Sequence, residues 1–302
     1  MNTRVLTLLL GSALALTLAL LFNPAVAQAA DRHVSPGGSD AANDCLNAAT
    51  PCETIAHAVS VAVAADRIVL DANTFTAQNV VIDKELVVVG AGKTQTYVDA
   101  APGFRHFIIR DDPAASSPPQ VRFKDLTLQN GDVANAATGV FENGGSILVE
   151  ASNVFVSILH ARLRGNTAVA GGAVAFTDGN ASTMNVVHSG LKHNLATGPG
   201  GAVYCDSCGG IEVHESNLID NLAGSLGGAI FTEQSTLLVR GSTVSDNSAD
   251  NGGAIYDLQG EVTVKGTTLD NNYADSTSVG GGGAIFSTGT VYVVRTTLSH
   301  NT

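Results

Sequence analysis

Short runs in which hydrophobic and polar residues alternate fill the chain from residue 144 onward, and Gly, Asn or Asp separates one run from the next. In the unit that begins at Gly252 the runs are 254–256, 261–264 and 267–269. Alternation with a period of two is typical of β-strands, and the residues between the runs are turn formers. No stretch of ten helix-forming residues fits between them. The pattern therefore predicts three short strands per unit, joined by tight turns.

The unit repeats, and each copy carries two marks. It opens with Gly-Gly-Ala followed by Ile or Val, and it closes with Leu or Val, two further residues and Asn. The openings start at Gly144 (with Ser in place of Ala), Gly171, Gly200, Gly227, Gly252 and Gly282, at intervals of 27, 29, 27, 25 and 30 residues. The closing asparagines are Asn166, Asn194, Asn221, Asn247, Asn272 and Asn301. Two marks at such a period indicate a solenoid.

Stacked coils account for both marks. Parallel pairing with the coils on either side would satisfy the backbone of a three-stranded coil. Each asparagine would then lie about 4.8 Å from its equivalent in the next coil, so that the amides could form a ladder of hydrogen bonds. The glycines would supply turns with positive φ. The sequence thus predicts an all-β parallel β-helix. A leucine-rich repeat has a similar period, but its Leu-x-x-Leu-x-Leu run and its helix are missing.

The first residues have a different composition. Residues 1–29 contain one charged residue, Arg4, then an apolar run over 5–22 and a small-residue site at 27–29. These features predict a secretory signal peptide cleaved after Ala29. A retained membrane anchor is the alternative, although the run is barely long enough to span a bilayer. No second apolar stretch of that length follows, so we expect no membrane-spanning segment in the mature chain.

Residues 30–92 are predicted to form an entry segment, a cap and the first coil. Residues 54–64 have apolar side chains at helical spacing. A short helix there would cover the open end of the solenoid, where strands would otherwise be unpaired. Strands are predicted at 67–70, 80–82 and 86–89, and further coils at 93–302. Because Thr302 directly follows a ladder asparagine, we expect the coils to continue beyond it.

Charge and composition exclude some classes of partner and of protein. The chain has 15 Lys and Arg residues against 27 Asp and Glu, a net charge of −12, which makes nucleic acid an unfavourable partner. Only 14% of the residues are charged, and 33 are Gly. This composition is typical of an exported β-solenoid rather than a helical cytosolic enzyme. Nothing in the sequence indicates a cofactor or a metal site.

The four cysteines form two local pairs, Cys45 with Cys52 and Cys205 with Cys208. Export favours a disulfide in each pair. The first bond would close a short loop and fix the entry to the first coil. For Cys205-Asp-Ser-Cys208, a redox motif or half of a zinc site is the alternative.

One column of side chains directly precedes the ladder, and we call it the pre-ladder column. Its members are Gly165, His193, Asp220, Asp246, Asn271 and His300. In-register coils would place Asp220 and Asp246 about 5 Å apart, which is the carboxylate separation in retaining glycosidases, with His193 in the same column. The alternative is that polar residues flank a turn because they are solvated, and no Arg or Lys accompanies the pair.

A second column follows the Ile or Val of each opening. Its aromatic members, which we call the aromatic ribbon, are Tyr204, Phe231, Tyr256 and Phe286. Because successive residues of a strand face opposite ways, the ribbon is exposed if the Ile and Val residues line the core. An exposed aromatic strip would bind sugars or proteins. If the Ile and Val residues faced outward instead, the ribbon would be a stack of aromatic rings inside the core.

Two parts of the chain resemble known families. Residues 33–92, with Pro51-Cys52-Glu53-Thr54-Ile55 and Val88-Val89-Gly90-Ala91-Gly92, resemble the entry segment of secreted right-handed β-helix proteins of the pectin-lyase-like fold. Residues 144–302, through their Gly-Gly-Ala-Ile and x-x-Asn marks, resemble the repeats of polymorphic outer membrane proteins, although Leu or Val replaces the usual Phe of the second mark. The resemblance implies a protein that is secreted or displayed on the bacterial cell surface, in association with the outer membrane.

We therefore expect a non-catalytic structural or adhesin-like surface. Its expected partners are surface glycans or proteins of a host or neighbouring cell. Enzymes of the fold mostly act on acidic polysaccharides, so a polysaccharide lyase or glycoside hydrolase is the alternative.

Overall fold

The computed structural model describes residues 29–112, 118–134, 142–177, 181–275 and 281–302. Within them the chain forms an all-β solenoid in which neighbouring strands of every sheet come from different coils and pair in parallel, with side chains in register from coil to coil. The prediction of a parallel β-helix is confirmed. Residues 1–28 of the predicted signal peptide, which spans residues 1–29, lie outside the described part of the chain.

Four sheets run along the solenoid, and the coils of the repeat region pass through them in the order C, A, B, D. In the described residues, sheet A contains Asp31–Val34, Arg67–Leu70, Leu86–Val89, Gln120–Lys124, Phe155–Leu159, Thr183–Val187, Gly210–His214, Thr236–Arg240, Glu261–Lys265 and Thr290–Val294. Sheet B contains Thr74–Ala77, Tyr97–Ala100, Thr127–Gln129, Arg162–Arg164, Gly190–Lys192, Asn217–Ile219, Thr243–Ser245, Thr268–Asp270 and Thr297–Ser299.

The other two sheets are shorter. Sheet C contains Val80–Ile82, Phe107–Ile109, Ile147–Val149, Val174–Phe176, Val203–Asp206, Ile230–Glu233, Ile255–Leu258 and Ile285–Ser287. Sheet D contains the two-residue strands Thr167–Ala168, Leu195–Ala196, Leu222–Ala223, Ser248–Ala249 and Tyr273–Ala274. The three strands predicted for the unit that begins at Gly252 are present in sheets C, A and B. The sheet D strands, which follow the ladder asparagines from Asn166 to Asn272, were not predicted.

Alternation along each strand separates core from surface. In Glu261–Lys265 the side chains of Val262 and Val264 are fully buried, whereas Glu261 and Lys265 are exposed. The same positions of neighbouring coils stack on one another, so that the core is a set of aliphatic columns. Such a core gains about 25 cal/mol for each Å² of apolar surface removed from water.

The ladder asparagines stand in single file inside the turn between sheets B and D. The amide Nδ2 of Asn221 donates to Asn247 Oδ1 at 2.9 Å and to the carbonyl of Leu191 at 3.0 Å. Its Oδ1 accepts from Nδ2 and from the backbone N–H of Asn194, at 2.9 and 3.1 Å. Contacts between successive side chains are 2.9–3.0 Å from Asn166 to Asn301. Each interior amide is therefore buried with all its hydrogen-bonding capacity used.

A second polar file lies in the turn between sheets A and B. The hydroxyl of Ser216 accepts from the backbone N–H of Ser189 at 3.1 Å, and the hydroxyl of Ser242 accepts from the N–H of Ser216 at 3.1 Å. Ser189 and Thr267 continue the file at either end. The sequence analysis did not predict this hydroxyl file, although a Ser or Thr stands at the equivalent position of each of these coils.

The two glycines of the opening mark have different roles. The first adopts positive φ, with values of 62°, 70° and 66° at Gly171, Gly200 and Gly227, a conformation that a side chain disfavours. The second lies against the neighbouring coil, where a Cβ on Gly172 would collide with the carbonyl oxygen of Gly201. The mark therefore combines a turn requirement with a close backbone approach.

The N-terminal end is closed by the helix Ile55–Val61, which is shorter than the predicted 54–64. Thr54 is its N-cap, and Ile55, Ala58 and Val59 are buried against strands of the first coil. Among the described residues, no helix has the length and hydrophobicity needed to cross a bilayer.

Both predicted disulfides are present. Cys45 is bonded to Cys52 beside the cap, and Cys205 is bonded to Cys208 in the turn between sheets C and A. The two bonds have Cα–Cα distances of 5.1 and 5.6 Å, and all four cysteines are buried. The Cys205-Asp-Ser-Cys208 segment thus closes a turn, and its sulfurs are not free to bind zinc.

We predict that Asn221→Ala lowers the free energy of unfolding by about 3 kcal/mol, because it removes the four hydrogen bonds of the side chain, each worth about 1 kcal/mol net, and leaves buried partners unsatisfied. Urea denaturation of the two proteins measures the change. Asn217→Ala is the matched control, since Asn217 is an exposed asparagine of the same coil, and it is expected to change the value by less than about 0.5 kcal/mol. Equal losses in the two variants would contradict the role of the ladder.

Candidate functional site

The pre-ladder column lies on the surface, and its backbone has an unusual conformation. His193, Asp220, Asp246, Asn271 and His300 all have positive φ, between 51° and 57°, and Gly165 has a φ of 60°. Asn, Asp, His and Gly are the residue types found most often in this left-handed region. The composition of the column therefore follows from the turn that precedes the ladder.

Side chains of the column pair from one coil to the next. His193 Nδ1 lies 3.5 Å from Asp220 Oδ2, and Asn271 Nδ2 donates to Asp246 Oδ1 at 2.7 Å. The side chains of His193 and Asp220 are 64% and 47% exposed. The strands that precede Asp220 and Asp246 are in register, so the two residues are neighbours as predicted. Both carboxylates stand on an open turn.

The aromatic ribbon lies on the outer face of sheet C. Val203, Ile230 and Ile255 are buried in the core, so the residues that follow them point outward. The rings stack along the solenoid axis with centroid separations of 5.2, 5.7 and 4.9 Å and interplanar angles of 9–12°. Tyr204, Tyr256 and Phe286 are partly exposed, whereas Phe231, which lies between two rings, is 5% exposed.

Acidic residues lie beside one end of the ribbon. Asp206 and Glu233 follow Tyr204 and Phe231 by two residues on the same strands and face the same way, and both are partly exposed. Burial raises the pKa of the Tyr204 hydroxyl, and the charges of Asp206 and Glu233 raise it further. A hydrogen bond between the hydroxyl and Asp206 also raises this pKa, so Tyr204 and Asp206 interact at this end of the ribbon.

A groove that was not predicted from the sequence lies on the outer face of sheet A. The groove has a volume of about 480 Å³. Its lining includes Phe155, Asn185, Glu212, Leu238 and Thr263. These residues come from five successive coils, and only the register of the sheet brings them together. Neither Asp220 nor Asp246 lies in this groove.

One group of potential metal ligands lies close together in the described residues, formed by Cys45, Cys52 and His57. The disulfide occupies both sulfurs, and His57 Nε2 lies 2.7 Å from the carbonyl oxygen of Asn43. This group therefore has a structural role in the cap.

Comparison with known proteins gives two findings. The Chlamydia polymorphic membrane protein repeat model matches residues 241–257, which include Asn247 of the ladder, the pair Gly252–Gly253 and the start of the strand Ile255–Leu258. A solved structure of a rhamnogalacturonan lyase superposes with a TM-score of 0.51 over 90% of this chain and 74% of that chain, at 10% sequence identity. No curated protein sequence matches the chain.

Fold and comparison together define a parallel β-helix with the architecture of the pectin-lyase-like proteins. The repeat that contains residues 241–257 is similar to the polymorphic membrane protein repeat. The likeness to the lyase concerns the fold alone, since one fold supports many functions.

We predict that the backbone conformation at Asp220 decides which substitutions are tolerated. Asp220→Gly should change the free energy of unfolding by less than about 0.5 kcal/mol, whereas Asp220→Val should lower it by about 1–2 kcal/mol, because a β-branched residue is strained at positive φ. Ser245→Val, at an outward strand position of the next coil, should be nearly neutral because β-branched residues suit strands. Thermal or urea unfolding measures all three variants. Equal stability of the Gly and Val variants at 220 would contradict this account.

Proposed function

We propose that the protein is a secreted or cell-surface β-helix that binds a partner protein through the aromatic ribbon and catalyses no reaction. The ribbon is the observation that carries the proposal. Three of its four rings are partly exposed on the outer face of sheet C. A contiguous apolar strip on a surface is typical of an interaction site. Export is supported by the predicted signal peptide and by the type of repeat.

The packing of the rings favours a protein over a sugar as the partner. A sugar binds an aromatic ring through the flat face, and the faces of Phe231 and Tyr256 are covered by neighbouring rings at 4.9–5.7 Å. The ribbon instead presents ring edges and two tyrosine hydroxyls. Ring edges carry partial positive charge and suit carbonyl oxygens and other aromatic rings.

Charge beside the ribbon further defines the partner. Asp206 and Glu233 border it, and the whole chain carries a net charge of −12. Complementary charge across an interface speeds association and excludes partners of like charge. The partner surface is therefore expected to combine apolar or aromatic side chains with Lys or Arg.

Polysaccharide cleavage is the second candidate, supported by the lyase fold and by the neighbouring positions of Asp220 and Asp246. The turn conformation accounts for the residue types of that column without catalysis. Both carboxylates already bond to neighbours in the column, and they lie outside the groove of sheet A. The non-catalytic proposal therefore accounts for more of the site.

We predict that Tyr204→Ser combined with Tyr256→Ser lowers binding of the purified protein to target cells at least tenfold, because the variant removes ring edges and both hydroxyls. Flow cytometry with fluorescently labelled protein measures binding. Tyr292→Ser is the matched control, since Tyr292 is 51% exposed on sheet A, and it should bind like the wild type. Protease treatment of the cells should abolish binding. Sensitivity to glycan removal instead would contradict a protein partner.

A cleavage assay tests the second candidate. The protein is incubated with polygalacturonate and with rhamnogalacturonan, and new reducing ends and unsaturated products are measured. We expect none above the level of a heat-inactivated sample. Turnover that is lost in Asp220→Asn combined with Asp246→Asn, and kept in Asp206→Asn, would establish the enzyme and overturn the non-catalytic proposal.

A further inference from the structure

Three cationic side chains gather in one small groove on a chain that is otherwise acidic. The groove lies on the outer face of sheet B beside the turn from sheet A and has a volume of about 330 Å³. Its lining consists of Lys93, Arg162, His188, Ser189, Gly190, Lys192, Glu215 and Asn217. We call it the basic groove. None of its side chains is aliphatic or aromatic apart from the imidazole of His188, so its ligand must be polar.

The three cations reach the basic groove from different directions. Arg162 belongs to one coil and Lys192 to the next. Lys93 comes from the turn 90–96, about two coils earlier. Its carbonyl accepts from Thr127 Oγ1 at 2.7 Å, and its Nζ donates to the carbonyl of His188 at 3.3 Å. Three cationic groups that line one groove suit a group with several acceptor oxygens.

Charge in the basic groove is not balanced by the protein. Within the described residues, Arg162 and Lys192 have no ion pair and no side-chain hydrogen bond. The carboxylate in the lining, Glu215, lies 3.3 Å from His188 Nδ1. Like charges brought together in this way repel unless an anion lies between them.

Gly190 is an independent sign of a ligand. Its position in sheet B is occupied by Thr in several other coils, namely at Thr127, Thr243, Thr268 and Thr297. The backbone of Gly190 does not have positive φ. The nearest neighbours of a Cβ there would be the stems of Lys192, at 3.4 and 3.8 Å, and of Arg162, at 4.0 Å, which are ordinary van der Waals distances. The glycine is therefore not required by the turn or by a neighbouring backbone, and glycine inside a strand often marks the close approach of a ligand.

The position of Gly190 lies between the two cationic side chains. The Cε and Cγ of Lys192 and the Cγ of Arg162 lie 3.4–4.0 Å from where its Cβ would stand, and both side chains line the groove together with the glycine. The γ atoms of a threonine at this position would occupy part of the space that the glycine leaves open.

We propose that the basic groove binds a phosphate group, either as the free ion or as a monoester on a polar carrier such as a sugar. A phosphate monoester carries a charge of about −1.5 to −2 and three acceptor oxygens at neutral pH, which matches a groove lined by three cations. A carboxylate has two oxygens and one charge, so it would leave part of the cationic side chains of the groove without a partner. The site is separate from the aromatic ribbon, which lies on sheet C, and does not depend on the function proposed above.

Isothermal titration calorimetry with the whole protein, in a buffer free of phosphate and sulfate, tests the proposal. The probes are glucose 6-phosphate, inorganic phosphate, glucose 6-sulfate and glucuronic acid. We expect glucose 6-phosphate or inorganic phosphate to bind at least tenfold more tightly than the sulfate ester and the uronic acid. Tighter binding of glucose 6-phosphate would indicate a phosphate monoester as the ligand, and tighter binding of inorganic phosphate would indicate the free ion. Binding should weaken as salt is added, because exposed charges are screened.

Two variants locate the binding site. Arg162→Gln with Lys192→Gln removes two charges, and Gly190→Thr keeps every charge but fills the space beneath them. Each should lower the affinity at least tenfold, and the threonine variant should fold because threonine is common at this position. Arg240→Gln with Lys265→Gln is the matched control, since these exposed cations also lie in adjacent coils, and it should leave the affinity unchanged.

Several results would overturn the proposal. They are the absence of phosphate binding, an affinity of the Gly190→Thr variant equal to that of the wild type, an equal loss in the control pair, and equal affinity for glucuronic acid. Circular dichroism of each variant shows that a loss of binding is not a loss of fold.

Discussion

In-register stacking of parallel coils is the constraint on which the rest of the structure depends. Because each coil lies about 4.8 Å from the next, a strand residue of an interior coil has its equivalents in the two adjacent coils as neighbours. A buried amide normally costs free energy, since its donors and acceptors need partners. In the ladder, Asn194 and Asn247 supply those partners to Asn221, and they are supplied in turn by the coils beyond. The hydroxyl file obeys the same rule. The amides of the ladder therefore keep all their hydrogen bonds only while the file is uninterrupted.

Much of the fold could be predicted because the residues that fix it repeat. The Gly-Gly openings and the closing asparagines mark each coil directly, and alternation inside the coil gave the strands of sheets A, B and C. The sheet D strands were missed because two residues are too few to show a period. The end of the helix was overestimated because Ala62 to Ala64 continue the apolar pattern, although the structure makes Ala62 the C-cap.

The candidate sites divide by how their residues come together. Members of the pre-ladder column and of the aromatic ribbon share a position in the repeat, so the sequence identified both. It gave no indication of the left-handed backbone that explains the column, because Asp and His serve turns and catalysis equally well. The basic groove was not predicted because its residues do not share a position in the repeat. Lys93, Arg162 and Lys192 occupy unrelated positions of their coils, and only the turn that carries Lys93 forward along the axis brings them together.

The placement of the disulfides has a mechanical consequence. Cys45–Cys52 and Cys205–Cys208 each close a loop within one coil, so in the described residues neither ties one coil to the next. A tension applied along the axis is then resisted by the hydrogen bonds and apolar contacts between coils, with no covalent cross-link to reinforce them. Each detached coil of about 27 residues would release about 90 Å of extended chain. We therefore expect such a solenoid to lengthen coil by coil under load rather than to break as one unit.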